Sequence, residues 1–171
     1  LKLIFDEQGK IFGAQAVGEQ GVDKRIDVIA TAIKGNLTVF DLPEIEITYA
    51  PPFNSAKDPV NIAGYAAENI LNGNLEMVNY DDFWTFVKEN EAVILDVRTS
   101  KEFEGGHIEG AVNINVDDLR DNLQHLDNNK VYAIYCQVGL RGYLANRIMR
   151  NNGFKAVNLN GGYNLWSKVQ S

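Results

Sequence analysis

The chain has 171 residues, of which 45% are hydrophobic and 23% are charged, a composition that excludes a disordered or fibrous protein. Its 16 basic and 23 acidic residues give a net charge of −7, which argues against binding to nucleic acid or to a membrane surface. Apolar runs are no longer than a β-strand and a single cysteine excludes an internal disulfide, so we expect a cytoplasmic protein without a membrane span.

The first 73 residues predict two strands and two helices. Apolar runs at Leu3–Asp6 and Ile11–Val17 flank a polar turn and predict a β-hairpin. Apolar residues at helical spacing predict helices over Gly21–Lys34 and Lys57–Leu71. These elements are too few to enclose a sizeable core. We therefore expect this part to pack against a missing N-terminal portion, a second copy of the chain, or both.

From residue 75 onward, strands alternate with helices. Strands are predicted at Ala92–Val97, Glu109–Val116, Val131–Cys136 and Ala156–Leu159. Helices are predicted at Tyr80–Glu89, Val116–Leu126, Leu140–Asn151 and Gly162–Val169. This alternation predicts an α/β fold with a mostly parallel sheet and helices on both faces, and a domain boundary near Asn72–Asn74. Ligands bind at the carboxyl ends of such strands, and Cys136 stands at one.

Cys136 lies in a basic part of the chain. Residues 128–171 carry six bases and no acid, whereas the preceding residues carry all 23 acids and 10 bases. A helix N-terminus, backbone amides and nearby cations favour a thiolate over a thiol. Gly139 and Gly142 permit a tight curl of amides around an anion. An inert buried cysteine is the alternative, but the strand, glycine loop and helix around Cys136 favour catalysis.

Four separated motifs stand in the second part of the chain. They are Asp96-Val97-Arg98 with Glu102-Phe103, Gly106–Ile114, Cys136–Arg141 and Leu159–Trp166. In this order they resemble the signatures of a single rhodanese domain, which implies a rhodanese-like fold over residues 75–171. The resemblance also implies that Cys136 attacks a sulfane-sulfur donor, holds the sulfur as a persulfide and passes it to a thiol acceptor.

The resemblance assigns roles around Cys136. The implied anion-binding residues are Gln137, Val138, Gly139, Leu140, Arg141 and Gly142. Arg141 would also hold an anionic donor. Asp96 and Arg98, at a strand end, would brace the loop, and His107 would have a structural role. We expect no metal site.

The length of the Cys136 loop separates the chemistries known for this fold. Six residues from Cys136 to Arg141 are typical of sulfur transfer in the family. Related protein phosphatases have a longer loop, so the alternative of a phosphatase or arsenate-type reductase is disfavoured. Gln137 stands where many family members carry arginine.

A second set of motifs lies in the first 73 residues. The segments are Gly13-Ala14-Gln15, Gly21–Asp27, Tyr49-Ala50-Pro51-Pro52-Phe53 and Ala56–Pro59. They resemble the end of the C-terminal dimerisation domain of flavin-dependent pyridine nucleotide-disulfide oxidoreductases, in the branch of coenzyme A-disulfide reductase, NADH oxidase and persulfide reductase. The resemblance implies a homodimer through residues 1–73. It places Tyr49 near the partner's redox centre, with packing against the neighbouring prolines as the alternative.

The combined prediction is the C-terminal part of a fused reductase. Leu1 stands where a complete chain has Met, and no Gly-x-Gly-x-x-Gly dinucleotide motif follows a strand. We therefore expect no cofactor in this part, and FAD and NAD(P)H, with coenzyme A as a further candidate, in the full-length protein. That protein would reduce coenzyme A disulfide, persulfide or polysulfide, supplied with sulfur by the rhodanese. The alternative is a non-catalytic rhodanese module for docking or sulfur relay.

Overall fold

The structure, a computed structural model, describes residues 1–52 and 55–169. The chain folds as two compact units, residues 1–74 and residues 75–171. Within the described residues, no helix has the length and apolar character that crossing a bilayer requires.

The first unit contains the predicted hairpin and the two predicted helices. Its elements are β1 (Lys2–Phe5), β2 (Ile11–Gln15), α1 (Val22–Lys34), a 3-10 turn (Leu42–Glu44) and α2 (Pro59–Leu71). The strands are antiparallel, and the Asp6 carboxylate accepts hydrogen bonds from the backbone amides of Gln8 and Lys10 in the turn between them. Helix α2 begins at a capping box formed by Asp58 and Asn61.

The core of the first unit is small. Its buried members among the described residues are Ile11, Ile29, Ala32, Val39, Leu42, Val60 and Ala67. The two clusters of the second unit are larger, with twelve and eight buried residues. On the hairpin, Ile4 and Phe12 lie outside this cluster and remain exposed. The first unit thus leaves apolar surface in solvent that a larger assembly could cover.

The second unit is built on a five-stranded parallel sheet. Its strands are β3 (Met77–Val78), β4 (Val93–Asp96), β5 (Val112–Asn113), β6 (Val131–Tyr135) and β7 (Lys155–Leu159). The strand order is β3-β7-β6-β4-β5, so β6 lies in the middle. Each pair of neighbouring strands is parallel, which confirms the predicted α/β fold class.

Helices cover both faces of this sheet. The helices of this unit are α3 (Phe83–Glu89), α4 (Ser100–Glu104), α5 (Leu119–Asn122), α6 (Leu140–Asn151) and α7 (Gly162–Val169), and α4 adds no residue to either core cluster. Side chains alternate along the strands. Leu95 and Ile134 therefore share a cluster with residues of α5 and α6, whereas Ile94 and Tyr135 share one with residues of α3 and α7. Cys136 follows the middle strand and belongs to the cluster that contains residues of α5 and α6.

Two predicted elements are shorter in the structure. The predicted helix Val116–Leu126 is interrupted, because α5 ends at Asn122 and a 3-10 turn follows over Leu123–His125. The apolar spacing continues across the break, since side chains from both segments pack on one cluster. The predicted strand Glu109–Val116 is reduced to the two residues of β5, which pair with the end of β4 at the sheet edge.

Two further elements lie outside the predicted set. Strand β3 has two residues, too few to show a periodic pattern, and it exists through its pairing with β7. Helix α4 begins at a capping box between Thr99 and Glu102. That Thr-x-x-Glu pattern was the available sequence signal for its start.

Candidate active site

Cys136 is the first residue after the middle strand. Only 1% of its surface is exposed, and its Sγ accepts a hydrogen bond from the backbone amide of Gly139 at 3.1 Å. The chain turns back on itself at Gly139, whose φ of +140° is a conformation that L side chains rarely adopt. Helix α6 begins at the next residue. The sulfur thus lies inside a tight curl at the N-terminus of a twelve-residue helix.

Two residues of the loop have exposed apolar side chains. The side chains of Val138 and Leu140, on either side of Gly139, are 64% and 68% exposed. The backbones of these two residues form the curl while their side chains extend into solvent.

Gly142 lies beyond the curl that the sequence pattern predicted it to form together with Gly139. It lies within the first turn of α6, and its φ is outside the left-handed region. A Cβ at this position would collide with Oδ1 of the buried Asn158 on β7. Gly142 is therefore required for the close approach of α6 to the sheet, and the curl itself depends on Gly139.

The N-terminus of α7 holds the start of the loop. The backbone amides of Tyr163 and Asn164 donate hydrogen bonds to the carbonyl oxygens of Cys136 (2.8 Å) and Gln137 (3.0 Å). Gly162 permits this approach, because it has a φ of +61° and any Cβ would overlap those carbonyl groups. Gly162 was not among the predicted site residues, although the Gly161-Gly162 pair preceding a helical pattern was a signal for such a contact.

Asp96 and Arg98, the predicted bracing residues, form a buried ion pair. Their side chains are 0% and 2% exposed, and Arg98 Nη2 lies 2.7 Å from Asp96 Oδ2. Arg98 also donates from Nη1 to Gln137 Oε1 at 3.0 Å and from Nη2 to the carbonyl of Gly106 at 2.7 Å. Burial opposes the charge of Arg98, but its bonds and attraction to Asp96 raise the pKa of Arg98 above its usual value. Arg98 thus connects the ion pair directly to Gln137, the second residue of the loop.

Arg141 is bound on both terminal nitrogens by Glu102 of α4. Its Nη1 and Nη2 lie 2.8 Å and 2.6 Å from the two carboxylate oxygens, and both side chains are about one third exposed. The hydrogen bonds from Arg141 are the main reason that the pKa of Glu102 falls to about 2. The same bonds raise the pKa of Arg141. An anionic donor at Arg141 would have to share or displace this carboxylate.

His107 and Tyr49, which the sequence analysis singled out, lie in different units. His107 stacks on the ring of Phe103, with 3.8 Å between ring centres, and its Nδ1 lies 2.9 Å from the carbonyl of that residue. Tyr49 is in the first unit, and 48% of its surface is exposed. Phe53 of the same motif lies outside the described residues.

Two motifs of the first unit meet at one ion pair. Arg25 Nη2, from the motif that begins α1, lies 3.1 Å from Asp58 Oδ2 in the motif that begins α2. Asn61 donates to the carbonyl oxygens of Leu42 and Ile45, and this ties the 3-10 turn to α2. The polar residues of these motifs therefore connect elements within the first unit.

The described residues contain no group of three His, Cys, Asp or Glu side chains that could hold a metal ion.

Comparison with known proteins identifies relatives. The family model of the rhodanese-like domain matches residues 79–169. Coenzyme A disulfide reductases of Staphylococcus epidermidis and Staphylococcus aureus are 48% and 46% identical to this chain over 69 residues. Those residues are 40% of this chain and 16% of each reductase, so the chain covers a small part of these relatives.

Two solved structures match nearly all of the chain. The reduced CoADR-RHD of Bacillus anthracis is 49% identical with a TM-score of 0.93, and the match covers 98% of this chain and 30% of that one. An NAD-dependent persulfide reductase from A. fulgidus is 36% identical with a TM-score of 0.84, covering 96% and 29%. These matches confirm the resemblance to the coenzyme A-disulfide and persulfide reductase branch.

Proposed function

The chain belongs to the rhodanese-like domain family, whose model matches residues 79–169, and we propose that its second unit is a sulfurtransferase that carries sulfur on Cys136. The observation that carries this proposal is the hydrogen bond from the Gly139 amide to Cys136 Sγ, within a six-residue loop that ends at Arg141. A backbone amide and a helix N-terminus stabilise negative charge on the sulfur in both the thiolate and the persulfide.

The proposed reaction has two displacement steps at sulfur. The Cys136 thiolate attacks the outer sulfur of the donor, whose S–S bond breaks, and the rest of the donor leaves with the bonding electrons. It leaves as sulfite from thiosulfate or as a thiolate from a persulfide. An acceptor thiolate then attacks the outer sulfur of the Cys136 persulfide and releases the Cys136 thiolate. The two steps together need no external oxidant or reductant.

Residues around the loop hold this geometry in the proposed mechanism. Asp96 and Arg98 brace the loop through Gln137, and the start of α7 holds its first two carbonyl groups. The backbone amides from Gln137 to Gly142 are the proposed anion-binding groups. Held in this way, the loop need not reorganise when charge moves onto the outer sulfur.

We propose that the whole protein is a cytoplasmic, FAD- and NAD(P)H-dependent reductase of coenzyme A disulfide, persulfide or polysulfide. The similarity to staphylococcal coenzyme A disulfide reductases and to an NAD-dependent persulfide reductase supports this proposal. Residues 1–73 would be the end of its dimerisation domain and residues 75–171 its rhodanese domain. Tyr49 would face the thiol or disulfide substrate at the partner's redox centre. The chemistry of FAD and NAD(P)H would be supplied outside this chain.

A second candidate is a module for docking or sulfur relay without turnover. The near-complete burial of Cys136 favours it, because a bulky donor has limited access to the sulfur. The two candidates differ in what Cys136 must do. If the full-length protein with Cys136→Ala kept normal reductase activity toward every sulfur substrate, docking would be the better description.

The direct test of sulfurtransfer is the intact mass of the chain after incubation with thiosulfate, polysulfide or an alkyl persulfide. We expect one added sulfur on the peptide that contains Cys136, released by cyanide or by a thiol. Cys136→Ser is the matched control and should gain none. Sulfur transfer that survives in this variant would contradict the mechanism.

A further inference from the structure

The charge of the Cys136 loop is balanced from outside the loop. Arg141 is the cation of the loop, and Glu102 holds both of its terminal nitrogens at 2.8 Å and 2.6 Å. Glu102 is itself fixed, because the Thr99 backbone amide and hydroxyl donate to its Oε2 at 3.0 Å and 2.8 Å. The carboxylate of Glu102 is therefore held in place by Thr99 on its own helix turn and by Arg141 of the loop.

The second position of the loop adds no positive charge. Gln137 is neutral, and its Oε1 accepts a hydrogen bond from Arg98. Arg98 is in turn paired with the buried Asp96. Each of the two arginines, Arg98 and Arg141, thus has its own carboxylate, so the two ion pairs together add no net charge to the loop. The positive charge of Arg141, in the basic segment 128–171, is offset at the loop by Glu102, a carboxylate from earlier in the chain.

We infer that Glu102 is a positioning residue that sets donor preference: by neutralising Arg141, it favours alkyl persulfides over dianionic thiosulfate. This inference rests on the proposed sulfurtransferase function. Thiosulfate brings two negative charges to the thiolate and releases sulfite as a dianion. An alkyl persulfide brings at most one and releases a thiolate. An unpaired cation would attract this additional charge toward Cys136, and the ion pair with Glu102 weakens that attraction at Arg141.

The test compares two donors in the 171-residue chain. The second-order rate constant kcat/KM for persulfide formation on Cys136 is measured with thiosulfate and with 2-hydroxyethyl persulfide, an alkyl donor without other charges. We expect Glu102→Gln to raise the ratio of thiosulfate to persulfide rate constants by on the order of tenfold. The gain should shrink at high salt, because screening weakens the attraction between Arg141 and the dianion.

Two variants separate charge from structure. Glu104→Gln removes the same formal charge from an exposed position on the same helix and should leave the ratio unchanged. Glu102→Asp keeps the charge but shortens the side chain, so the ratio should stay near that of the wild type even if both rates fall. Because each comparison is a ratio between donors, a loss of loop order that slows both reactions equally does not imitate the expected result.

The outcomes are distinguishable. A ratio in Glu102→Gln equal to that of the wild type, with persulfide still accepted, would overturn the inference and leave the proposed function intact. A wild-type chain that takes sulfur from neither donor would contradict the proposed function itself. A raised, salt-sensitive ratio that Glu102→Asp does not show would establish Glu102 as the residue that sets donor preference.

Discussion

The guanidinium of Arg98 lies 4.2 Å from the centre of the Tyr163 ring. Tyr163 donates its backbone amide to the carbonyl of Cys136, and Arg98 donates to the side chain of Gln137. One stacked pair therefore connects the segment after β4, the Cys136 loop and α7. The position of the sulfur depends on contacts among three segments that are far apart in the sequence.

Asp96→Asn should strongly destabilise the second unit. The substitution leaves the Arg98 guanidinium buried without its carboxylate, and breaking a buried pair in this way costs about 3–5 kcal/mol. Urea unfolding measures the change. Lys130→Gln is the matched control, because it breaks an exposed pair with Glu91 and should cost less than about 1 kcal/mol. Equal losses in the two variants would contradict the bracing role.

Gly162→Ala should destabilise the protein and displace the Cys136 loop. Its φ of +61° is strained for alanine, and the added Cβ would also overlap the carbonyl groups of Cys136 and Gln137. We expect a loss of more than about 2 kcal/mol together with slower persulfide formation. Gly153→Ala is the control, since its φ of +85° imposes backbone strain where nothing lies near a Cβ. It should cost about 1 kcal/mol and leave persulfide formation unchanged.

The ion pair between Glu102 and Arg141 should lose its contribution to stability in acid. The pKa of Glu102 is lowered to about 2 in the folded state, so the stabilisation is fully present above the usual pKa of a glutamate and is lost as pH falls toward 2. The difference in unfolding free energy between wild type and Glu102→Gln should be constant from pH 7 to about 5 and shrink below about 4.5. Urea titrations across this range measure it. A difference that is the same at pH 3 and pH 7 would count against the pair.

The exposed apolar side chains of the hairpin should take part in self-association. Ile4 and Phe12 are exposed apolar side chains outside the small core of the first unit. If residues 1–73 form a homodimer interface, Ile4→Glu combined with Phe12→Glu should reduce the mass measured by light scattering from dimer to monomer. Val17→Glu, at another exposed apolar position, is the control. A wild-type chain that is monomeric at every concentration would contradict the proposed homodimer.

Much of the fold could be predicted from local pattern. The alternation of apolar strands and amphipathic helices, the hairpin and the extent of α6 and α7 follow from side-chain periodicity, which is a property of neighbouring residues. The Cys136–Arg141 segment was also recognisable, because its length and glycine are local features. Strand β3 was not recognisable, because two residues become a strand only through the neighbour they pair with.

The sequence by itself therefore determined the family, the fold class and the position of Cys136 at the end of a strand. Only the tertiary structure decided how the charges around that sulfur are paired. Glu102 and Arg141 are 39 residues apart, as are Arg98 and Gln137, and no local pattern indicates which carboxylate a given arginine meets. The physical reason is that pairing of charges depends on distance in space, and the parallel sheet brings the loops after β4 and β6 together at one edge.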